Sequence, residues 1–350
     1  MASPPGQALQ FNGSTESATS SVLRSQVENG RTYHSMSAGK YSFPNDADEQ
    51  DRLDAVAMLT TPSTSDLQSQ VWLLTLEGRL CLCPKQDGKA KRVLDAGTGT
   101  GIWAIDYAEA HPEAKVIGVD LSAIQPEWVH PNCSFELDDL EHEWTWSEPF
   151  DFIFGRVLAG SICDFQLFFD RAFANLEPGG YLEMQDFALP YRCDDGTMTK
   201  DNPIHRMSCL FLEASNRTGR RMDVAPRFKD LMRNAGFVDV VETCYKWPLN
   251  GWPKDPRLKE IGVYTQTNFD TGLEGLTLAL FTRHLGWSRE ETLVFCAEVR
   301  RALRDRSIHA YLPIYIVYGR KPAAKPTSRG PEAVDTPQAP PASEAPPGLG

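Results

Sequence analysis

The stretch that decides the fold reads Arg92-Val93-Leu94-Asp95-Ala96-Gly97-Thr98-Gly99-Thr100-Gly101, and it is followed by Ile102-Trp103-Ala104-Ile105. Its apolar start predicts the end of a buried parallel strand, its glycines a tight turn, and the run after them the start of a helix. Such a unit points free backbone N–H groups of the helix at a bound anionic group. Glycines at alternate positions also let a ligand approach the backbone closely. We therefore expect a ligand to lie across this turn.

The spacing of the glycines indicates which ligand this is. A dinucleotide fingerprint has its third glycine three residues after the second, whereas Gly101 comes two residues after Gly99. Asp95, two residues before Gly97, is unfavourable beside a pyrophosphate but suits an ammonium group. S-adenosylmethionine carries an ammonium on its methionine part, and its carboxylate can bind at the helix start. The pattern favours this cofactor and argues against a nicotinamide dehydrogenase.

Two later strands also end in acidic residues. Lys115–Asp120 predicts a second strand whose terminal Asp120 can accept hydrogen bonds from ribose hydroxyls. Cys133–Leu137 predicts a third strand, and Asp138 or Asp139 after it can accept from an adenine amino group. Each feature alone is typical of an ordinary turn or a helix cap. Because the three occur in order and each at a strand end, together they favour a cofactor site.

Composition limits the classes of function. The 350 residues suffice for one large α/β domain with additions or for two small domains. A net charge of −12 argues against direct binding to nucleic acid. No stretch is apolar enough to span a bilayer, and the first residues lack the regions of a secretory signal, so we expect a cytoplasmic or nuclear protein without membrane contact. Cys81 and Cys83 have no further cysteine pair or histidine cluster nearby, which predicts no metal site.

Strands and helices alternate along most of the chain, which predicts a doubly wound, mostly parallel sheet with helices on both faces. Asp164 is expected to cap one helix, and Ser288 to Glu291 form a capping box at the start of another. Near the N-terminus, residues 46–61 and 64–82 have helical patterns. The predicted organisation is a disordered N-terminus (1–24), a helical lid (25–88), an α/β domain (89–320) with a helical insertion (252–307) before the last strand, and a disordered proline-rich tail (321–350).

The chain resembles a known protein superfamily and, more specifically, one family of that superfamily. Residues 93–101 resemble motif I of class I S-adenosylmethionine-dependent methyltransferases, and later signatures of that superfamily are matched by Gly118-Val119-Asp120-Leu121-Ser122, Leu176-Glu177-Pro178-Gly179-Gly180 and Ala235-Gly236-Phe237. More specifically, the chain resembles the fungal LaeA-like methyltransferases. That resemblance rests on Asn29-Gly30-Arg31 with Tyr33-His34, Pro44-Asn45-Asp46, residues 50–54 and 101–106, Ile124-Gln125-Pro126 with Trp128, Cys193-Asp194-Asp195 and Ile308-His309-Ala310-Tyr311.

The resemblance implies a Rossmann-like, seven-stranded sheet whose last strand is antiparallel, with the cofactor at the carboxyl ends of the strands. The family contains enzymes that methylate fungal metabolites and regulators of secondary metabolism that partner velvet proteins. We expect an enzyme acting on a small-molecule acceptor; the alternative is a LaeA-type regulator in a nuclear velvet-protein complex. Many members have His where this chain has Phe154 and Ala57, so a base from those positions is missing here.

The expected contacts to S-adenosylmethionine come from the strand ends. The methionine part is assigned to Asp95 and the glycine loop, the ribose to Asp120, and the adenine to Asp138 or Asp139. The loop Gly155-Arg156-Val157, after a fourth strand predicted at residues 150–154, is expected to flank the sulfonium. The full predicted set is Asp95, Gly97, Thr98, Gly99, Gly101, Asp120, Leu121, Asp138, Asp139 and Gly155.

The catalytic residues are not identified by the sequence. Methyl transfer from a sulfonium is an in-line displacement, so the protein has to hold and align the reactants, and a general base is useful only when the nucleophile must lose a proton. His34 and Tyr33, on the expected lid, and Arg156 are candidates. Tyr191 is expected at the same opening, and His309 is interpreted as structural.

Overall fold

The computed structural model describes residues 26–33, 43–47, 49, 67–87 and 89–323. Two short strands form a hairpin, β1 (Gln26–Glu28) with β2 (Arg31–Tyr33). Seven further strands form one sheet: β3 (Arg92–Ala96), β4 (Lys115–Asp120), β5 (Cys133–Leu137), β6 (Phe150–Arg156), β7 (Leu176–Phe187), β8 (Val238–Pro248) and β9 (Tyr311–Arg320).

The sheet has the order β5-β4-β3-β6-β7-β9-β8. The five strands from β5 to β7 pair in parallel, and β9 is antiparallel to both of its neighbours. This confirms the predicted seven-stranded, mostly parallel sheet with an antiparallel last strand. The chain moves outward from β3 to β5 and then returns to place β6 on the other side of β3. In open α/β sheets, ligands bind beyond the carboxyl ends of the strands at such a change of direction.

Seven helices follow in the described part of the chain: α1 (Leu67–Leu76), α2 (Ile102–Ala110), α3 (Phe165–Asn175), α4 (Pro203–Thr218), α5 (Phe228–Asn234), α6 (Pro256–His284) and α7 (Arg289–Leu303). Asp164 accepts from the backbone N–H of Leu167 and caps α3. Ser288 and Glu291 make the reciprocal bonds of a capping box at α7. Both predicted helix starts are confirmed. Helices α6 and α7 occupy the chain between β8 and β9.

Alternate residues of the central strands face opposite sides of the sheet, as period-2 geometry requires. Val93 packs on one side with α2, where Trp103 stacks on Phe154 of β6 with ring centroids 3.7 Å apart. Leu94 packs on the other side with α3 and α5. A third core, formed by α1, α4, α6 and α7 with Tyr191 and neighbouring strand-end residues, lies over the carboxyl ends of the parallel strands. These helices form a cap over the expected ligand position.

A buried carboxylate attaches the segment after α1 to the sheet. Glu183 of β7 is fully buried and accepts from the backbone N–H groups of Leu82 (2.9 Å) and Cys83 (2.7 Å) and from the amide of Gln185 (2.8 Å). Burial raises its pKa. The fold brings a carboxylate oxygen of Glu183 within 4.8 Å of the thiols of Cys81 and Cys83. Glu183 is thus a third potential metal ligand, which the spacing of the residues in the sequence does not reveal. Because this carboxylate already binds two backbone N–H groups, we interpret it as a structural anchor, and the absence of a metal stays a prediction.

Some predicted boundaries are wrong. The helix predicted over 64–82 ends at Leu76, because Glu77 and Gly78 adopt left-handed conformations with φ of 58° and 79°. Glu177-Pro178-Gly179-Gly180 predicts the end of a helix that includes Leu176, whereas strand β7 already begins at Leu176. The helix predicted over 46–61 lies almost wholly outside the described residues. Within the described ranges, every helix is too short or too polar to cross a membrane.

Candidate cofactor and acceptor site

A cavity of about 300 Å³ lies between the carboxyl ends of the parallel strands and the helical cap. We call the part formed by the ends of β3 to β6 and the loops after them the cofactor half. The remainder, the acceptor half, is formed by residues 43–45 and 49, by α1, α4 and α6, and by the ends of β7 to β9 that face the cap. Its lining comprises Phe43, Pro44, Asn45, Glu49, Gln68, Ser69, Val71, Trp72, Phe187, Leu189, Tyr191, Phe211, Met222, Trp247, Thr265, Asn268, Phe269, Leu276, Leu312 and Ile314.

The three glycines of the β3 loop have different surroundings. Gly97, Gly99 and Gly101 all adopt left-handed backbone conformations, with φ of 72°, 58° and 86°. A Cβ on Gly101 would lie 2.4 Å from the ring of Phe135, and one on Gly97 would lie 2.4 Å from Leu158. A Cβ on Gly99 would meet no heavy atom within 4 Å. Open space for a ligand therefore lies directly at Gly99.

Asp120 holds the glycine loop in position from the end of β4. One carboxylate oxygen accepts from the backbone N–H of Gly99 at 2.8 Å, and the other accepts from that of Ser122 at 3.0 Å. Gln125 supports the same loop, because its amide donates to the carbonyl of Gly99 at 2.6 Å. The loop and the acid at the end of the neighbouring strand thus form one hydrogen-bonded unit that lines the cavity.

Asp95 is a buried carboxyl group at the end of β3. It is 2% exposed and accepts from the hydroxyl of Thr98 at 2.6 Å. Burial raises its pKa to about 7, although the bond from Thr98 and the nearby positive charge of Arg156 act in the opposite direction. A desolvated carboxylate gains from a cationic partner. The ammonium of an amino-acid moiety is a partner of this kind, so the local chemistry fits the methionine end of S-adenosylmethionine.

The acidic pair after β5 forms the far wall of the cofactor half. Asp138 accepts from the backbone N–H of Asp139 at 2.7 Å, and Asp139, which is buried, accepts from that of Glu141 at 3.0 Å. Glu141 in turn forms an ion pair with Arg220. Both aspartates line the cavity together with Leu121.

The structure brings eight of the ten predicted cofactor residues to the cavity: Asp95, Gly97, Thr98, Gly99, Asp120, Leu121, Asp138 and Asp139. Gly101 and Gly155 are not part of its lining. Gly101 begins α2 against Phe135, and a Cβ on Gly155 would lie 3.0 Å from the sulfur of Met184. These two glycines permit close packing behind the loop, and their assignment as contact residues stays a prediction.

The candidates for catalysis are placed in different regions. Arg156 and Tyr191 line the cavity. Tyr33 does not; it is buried in the hairpin beneath the guanidinium of Arg283, and burial raises its pKa to about 12. His34 lies outside the described residues. His309 is also outside the cavity, where it stacks on the ring of Trp252.

The acceptor half contains several residues that sequence reasoning missed. Trp72 on α1 is fully buried yet lines the cavity, and Glu49 is 4% exposed. Thr265 and Asn268 lie on the cavity-facing side of α6, next to the apolar Phe269. A helix face that only packs in the core is normally apolar along its whole length. The polar Thr265 and Asn268, three residues apart on such a face, are therefore a sequence signal that could have indicated a ligand.

The class of protein follows from this arrangement: a seven-stranded Rossmann-like sheet with an acidic, glycine-containing cavity at its strand ends defines a class I methyltransferase. A family model described as a methyltransferase domain matches residues 73–242. The chain is 40% identical over 316 residues to methyltransferase pytC of Aspergillus terreus, covering 90% of this chain and 94% of the relative. It is 35% identical to the probable methyltransferase tdiE of Emericella nidulans (74% and 81% covered) and 35% identical to the secondary metabolism regulator LAE1 of Cochliobolus heterostrophus (85% and 94% covered). The chain belongs to the fungal LaeA-like family of S-adenosylmethionine-dependent methyltransferases.

Proposed function

We propose that the protein transfers a methyl group from S-adenosylmethionine to a small-molecule acceptor of fungal secondary metabolism. The observation that carries this proposal is the continuity of the cavity. Its acidic half at the strand ends opens directly into an acceptor half lined mainly by aromatic and aliphatic side chains under the helical cap. Concave, mostly apolar spaces with a few polar groups are typical of small-molecule sites.

In the cofactor half, we assign the ammonium of the methionine part to Asp95 and the ribose hydroxyls to Asp120. We assign the adenine amino group to Asp138 or Asp139, which line the cavity together with Leu121. The open face of Gly99 leaves room for the ligand to lie against the loop. When bound, the cofactor supplies a methyl group on a cationic sulfur, which any well-aligned nucleophile can attack.

The protein contributes alignment and the exclusion of water. The acceptor half is enclosed by α1 and α6 and by residues 43–45 and 49, which the sequence predicts to be part of a lid over 25–88. Arg31 joins the hairpin to that segment through a bidentate ion pair with Asp46, both bonds 2.6 Å long. Effective alignment in a dry site can supply much of the rate enhancement for a displacement of this kind.

The second candidate function is a regulatory subunit that works in a nuclear complex with a velvet-type protein. It is favoured by the similarity to relatives named as regulators of secondary metabolism, among them LAE1 of Cochliobolus heterostrophus, which is 35% identical over 94% of its length. We propose a cytoplasmic location for the enzyme, whereas the regulator would be nuclear. In neither case do we expect direct contact with nucleic acid, given the net charge of −12.

Comparative metabolite profiling of a gene deletion tests the proposal. The enzyme predicts accumulation of a compound lighter by one methylene than the lost product, and conversion of that compound by the purified protein with S-adenosylmethionine. The chain carrying Asp120→Ala should fail to convert it, while Asp230→Ala, a change at an exposed acid on α5, should convert it normally. Loss of many unrelated metabolites without such a precursor, together with co-purification of a velvet-type protein, would favour the regulator.

A further inference from the structure

A line of polar side chains crosses the face of the sheet that packs on α2. Val93 of β3 and Phe154 of β6 belong to that face. Asp95 and Arg156 each lie two residues further along the same strands and therefore share it. Gln185 of β7 is paired with Arg156 in the sheet and is fully buried. The line thus runs from Asp95 in the cofactor half through Arg156 to Gln185.

The side-chain amide of Gln185 satisfies its partners in one orientation. Its nitrogen donates to the carbonyl of Leu80 at 3.2 Å and to the carboxylate of Glu183 at 2.8 Å. Its oxygen accepts from Nε of Arg156 at 3.0 Å. A main-chain carbonyl can only accept and a guanidinium can only donate, so a flipped amide would lose contacts on both sides. Gln185 thereby connects Arg156 to the segment that follows α1.

Two aromatic rings lie beside the guanidinium of Arg156. Its central carbon is 5.0 Å from the centre of the Trp72 ring and 5.2 Å from that of Phe154. Attraction between a cation and a ring depends only weakly on how the cation is rotated, whereas a hydrogen bond is directional. The bond to Gln185 therefore supplies a directional restraint on where the positive charge lies.

The position of this charge matters for Asp95. Burial raises the pKa of Asp95 to about 7, while the hydroxyl of Thr98 and the positive charge of Arg156 lower it. Asp120 at the end of β4 acts in the opposite direction to Arg156. On β5, burial and the charge of Asp95 raise the pKa of the Cys133 thiol to about 12, so this thiol stays neutral. A carboxyl group that titrates near neutral pH changes its charge in response to a small displacement of a nearby cation.

We propose that Gln185 is a positioning residue for cofactor binding: it holds the positive charge of Arg156 where that charge keeps Asp95 ionised to receive the ammonium of the cofactor. This inference rests on the proposed function and on the assignment of Asp95 within it. Gln185 is not part of the cavity lining, so it acts through Arg156. Leu80 and Glu183 act one step further away, because they fix the orientation of the amide.

The test follows the affinity for S-adenosylhomocysteine by calorimetric titration from pH 5.5 to 8.5. In the wild type, affinity should weaken below a midpoint near pH 7. Gln185→Met should raise this midpoint by about half a pH unit, which corresponds to about threefold weaker binding at pH 6. At pH 8.5, where Asp95 is ionised in both proteins, the variant should bind within about twofold of the wild type. A purely structural defect would instead weaken binding by the same factor at every pH.

A second pair of variants shows whether Gln185 acts through the charge. Arg156→Met, which removes that charge, should raise the midpoint by about one pH unit. The double variant Gln185→Met/Arg156→Met should have the same midpoint as Arg156→Met alone, because the amide then has no charge to position. Asp95→Asn should remove the pH dependence. This last variant excludes Asp106 of α2 as the titrating group, which also interacts with Arg156 and whose pKa is raised to about 6, mainly by burial.

Gln86→Met is the matched control. The side-chain oxygen of Gln86 accepts from the backbone N–H groups of Leu80 at 2.9 Å and Cys81 at 3.0 Å, so this residue supports the same segment as Gln185 does. Its replacement loosens that segment without removing the bond to Arg156, and the midpoint should stay at the wild-type value. If Gln185→Met does not fold, Gln185→Asn takes its place with the same expectations, because the shorter amide cannot span the same partners.

The possible failures are distinguishable. If S-adenosylhomocysteine produces no heat with the folded protein at any pH, the proposed function fails, and this inference fails with it. If it binds, four results overturn the inference alone: an affinity of the wild type that does not depend on pH, an unchanged midpoint in the Gln185 variant, an equal shift in Gln86→Met, and a midpoint of the double variant above that of Arg156→Met.

Discussion

The two halves of the cavity are built in different ways. In the cofactor half, the lining residues lie at the ends of β3, β4, β5 and β6 or in the segments after them. Key contacts there involve the main chain, such as the bonds from Gly99 and Ser122 to Asp120. In the acceptor half, the side chains come from an N-terminal segment, three helices and three strands that are far apart in the sequence. The fold therefore positions the cofactor through loop geometry and the acceptor through tertiary packing. A change in one half should leave the other largely intact.

The largest effect is expected when a methyl group is added to the glycine loop. Gly99→Ala places a Cβ in the open space of the cofactor half and strains a residue with φ of 58°, so affinity for S-adenosylhomocysteine should fall at least tenfold. Gly101→Ala instead forces a Cβ to within 2.4 Å of the Phe135 ring, which should cost about 1–3 kcal/mol of stability. Calorimetric titration and thermal unfolding of both variants separate the two effects. Equal losses of affinity and stability in both variants would contradict the distinction.

A pH series tests the role of Asp95. Because its pKa is raised to about 7, protonation below pH 7 removes the charge that we assign to the ammonium of the cofactor. Affinity for S-adenosylhomocysteine should weaken by roughly tenfold per pH unit below 7, the limiting slope for one required ionisation. Asp95→Asn should bind more weakly at pH 8 and show no such slope. A wild-type affinity that is constant from pH 5 to 8 would exclude this role.

The same raised pKa has a consequence for the stability of the cofactor-free protein. Asp95 binds its proton more tightly in the folded state than in the unfolded chain, where its pKa is about 4. Its contribution to the free energy of unfolding is therefore complete below about pH 4 and is lost as pH rises to about 7. Burial raises the pKa of Asp186 in the same way, so the trend should become weaker, but not disappear, in Asp95→Asn. Denaturant unfolding from pH 4 to 8 measures it.

A smaller effect is expected at the contact between α6 and the N-terminal segment. Gly275→Ala would place a Cβ 3.1 Å from Arg31 Nη1 and 3.3 Å from Pro44, while alanine in the helix gains up to about 1 kcal/mol. We expect little net change in unfolding temperature and faster amide hydrogen exchange at Asn45, whose N–H donates to the carbonyl of Thr32. Cofactor affinity should stay unchanged. Thr271→Ala, at an exposed position of α6, is the control, and equal exchange in both variants would show that the contact is unimportant.

The sequence predicted the cofactor half in detail because its signals are local. Asp95 and Asp120 lie at strand ends that the apolar pattern marks, and both face the cavity. The sequence did not show that Gly101 and Gly155 are closely enclosed, since the atoms that enclose them, those of Phe135 and Met184, are distant in the chain. Sequence spacing carries no information on such contacts.

Most residues of the acceptor half were not predicted from the sequence, for a related reason. Trp72 has the spacing of a core residue on α1, and only the packing of α6 and β8 against it shows that it borders a cavity. The sequence predicted the end of α1 too late in the chain, because Glu77 adopts a left-handed conformation. Glutamate has no intrinsic preference for that conformation, so nothing in the sequence indicated it. Tyr33 was linked to the site by its position in the chain, whereas the fold buries it against Arg283.

The central claim is that the ends of β3 to β6 hold a cationic sulfur cofactor through carboxylates. Calorimetric titration of folded wild-type protein and of Asp120→Ala with S-adenosylmethionine and S-adenosylhomocysteine tests it most directly. The account predicts one site per chain for both compounds in the wild type, and an affinity at least tenfold lower in Asp120→Ala. The absence of binding to the wild type, or equal affinity in the variant, would contradict it.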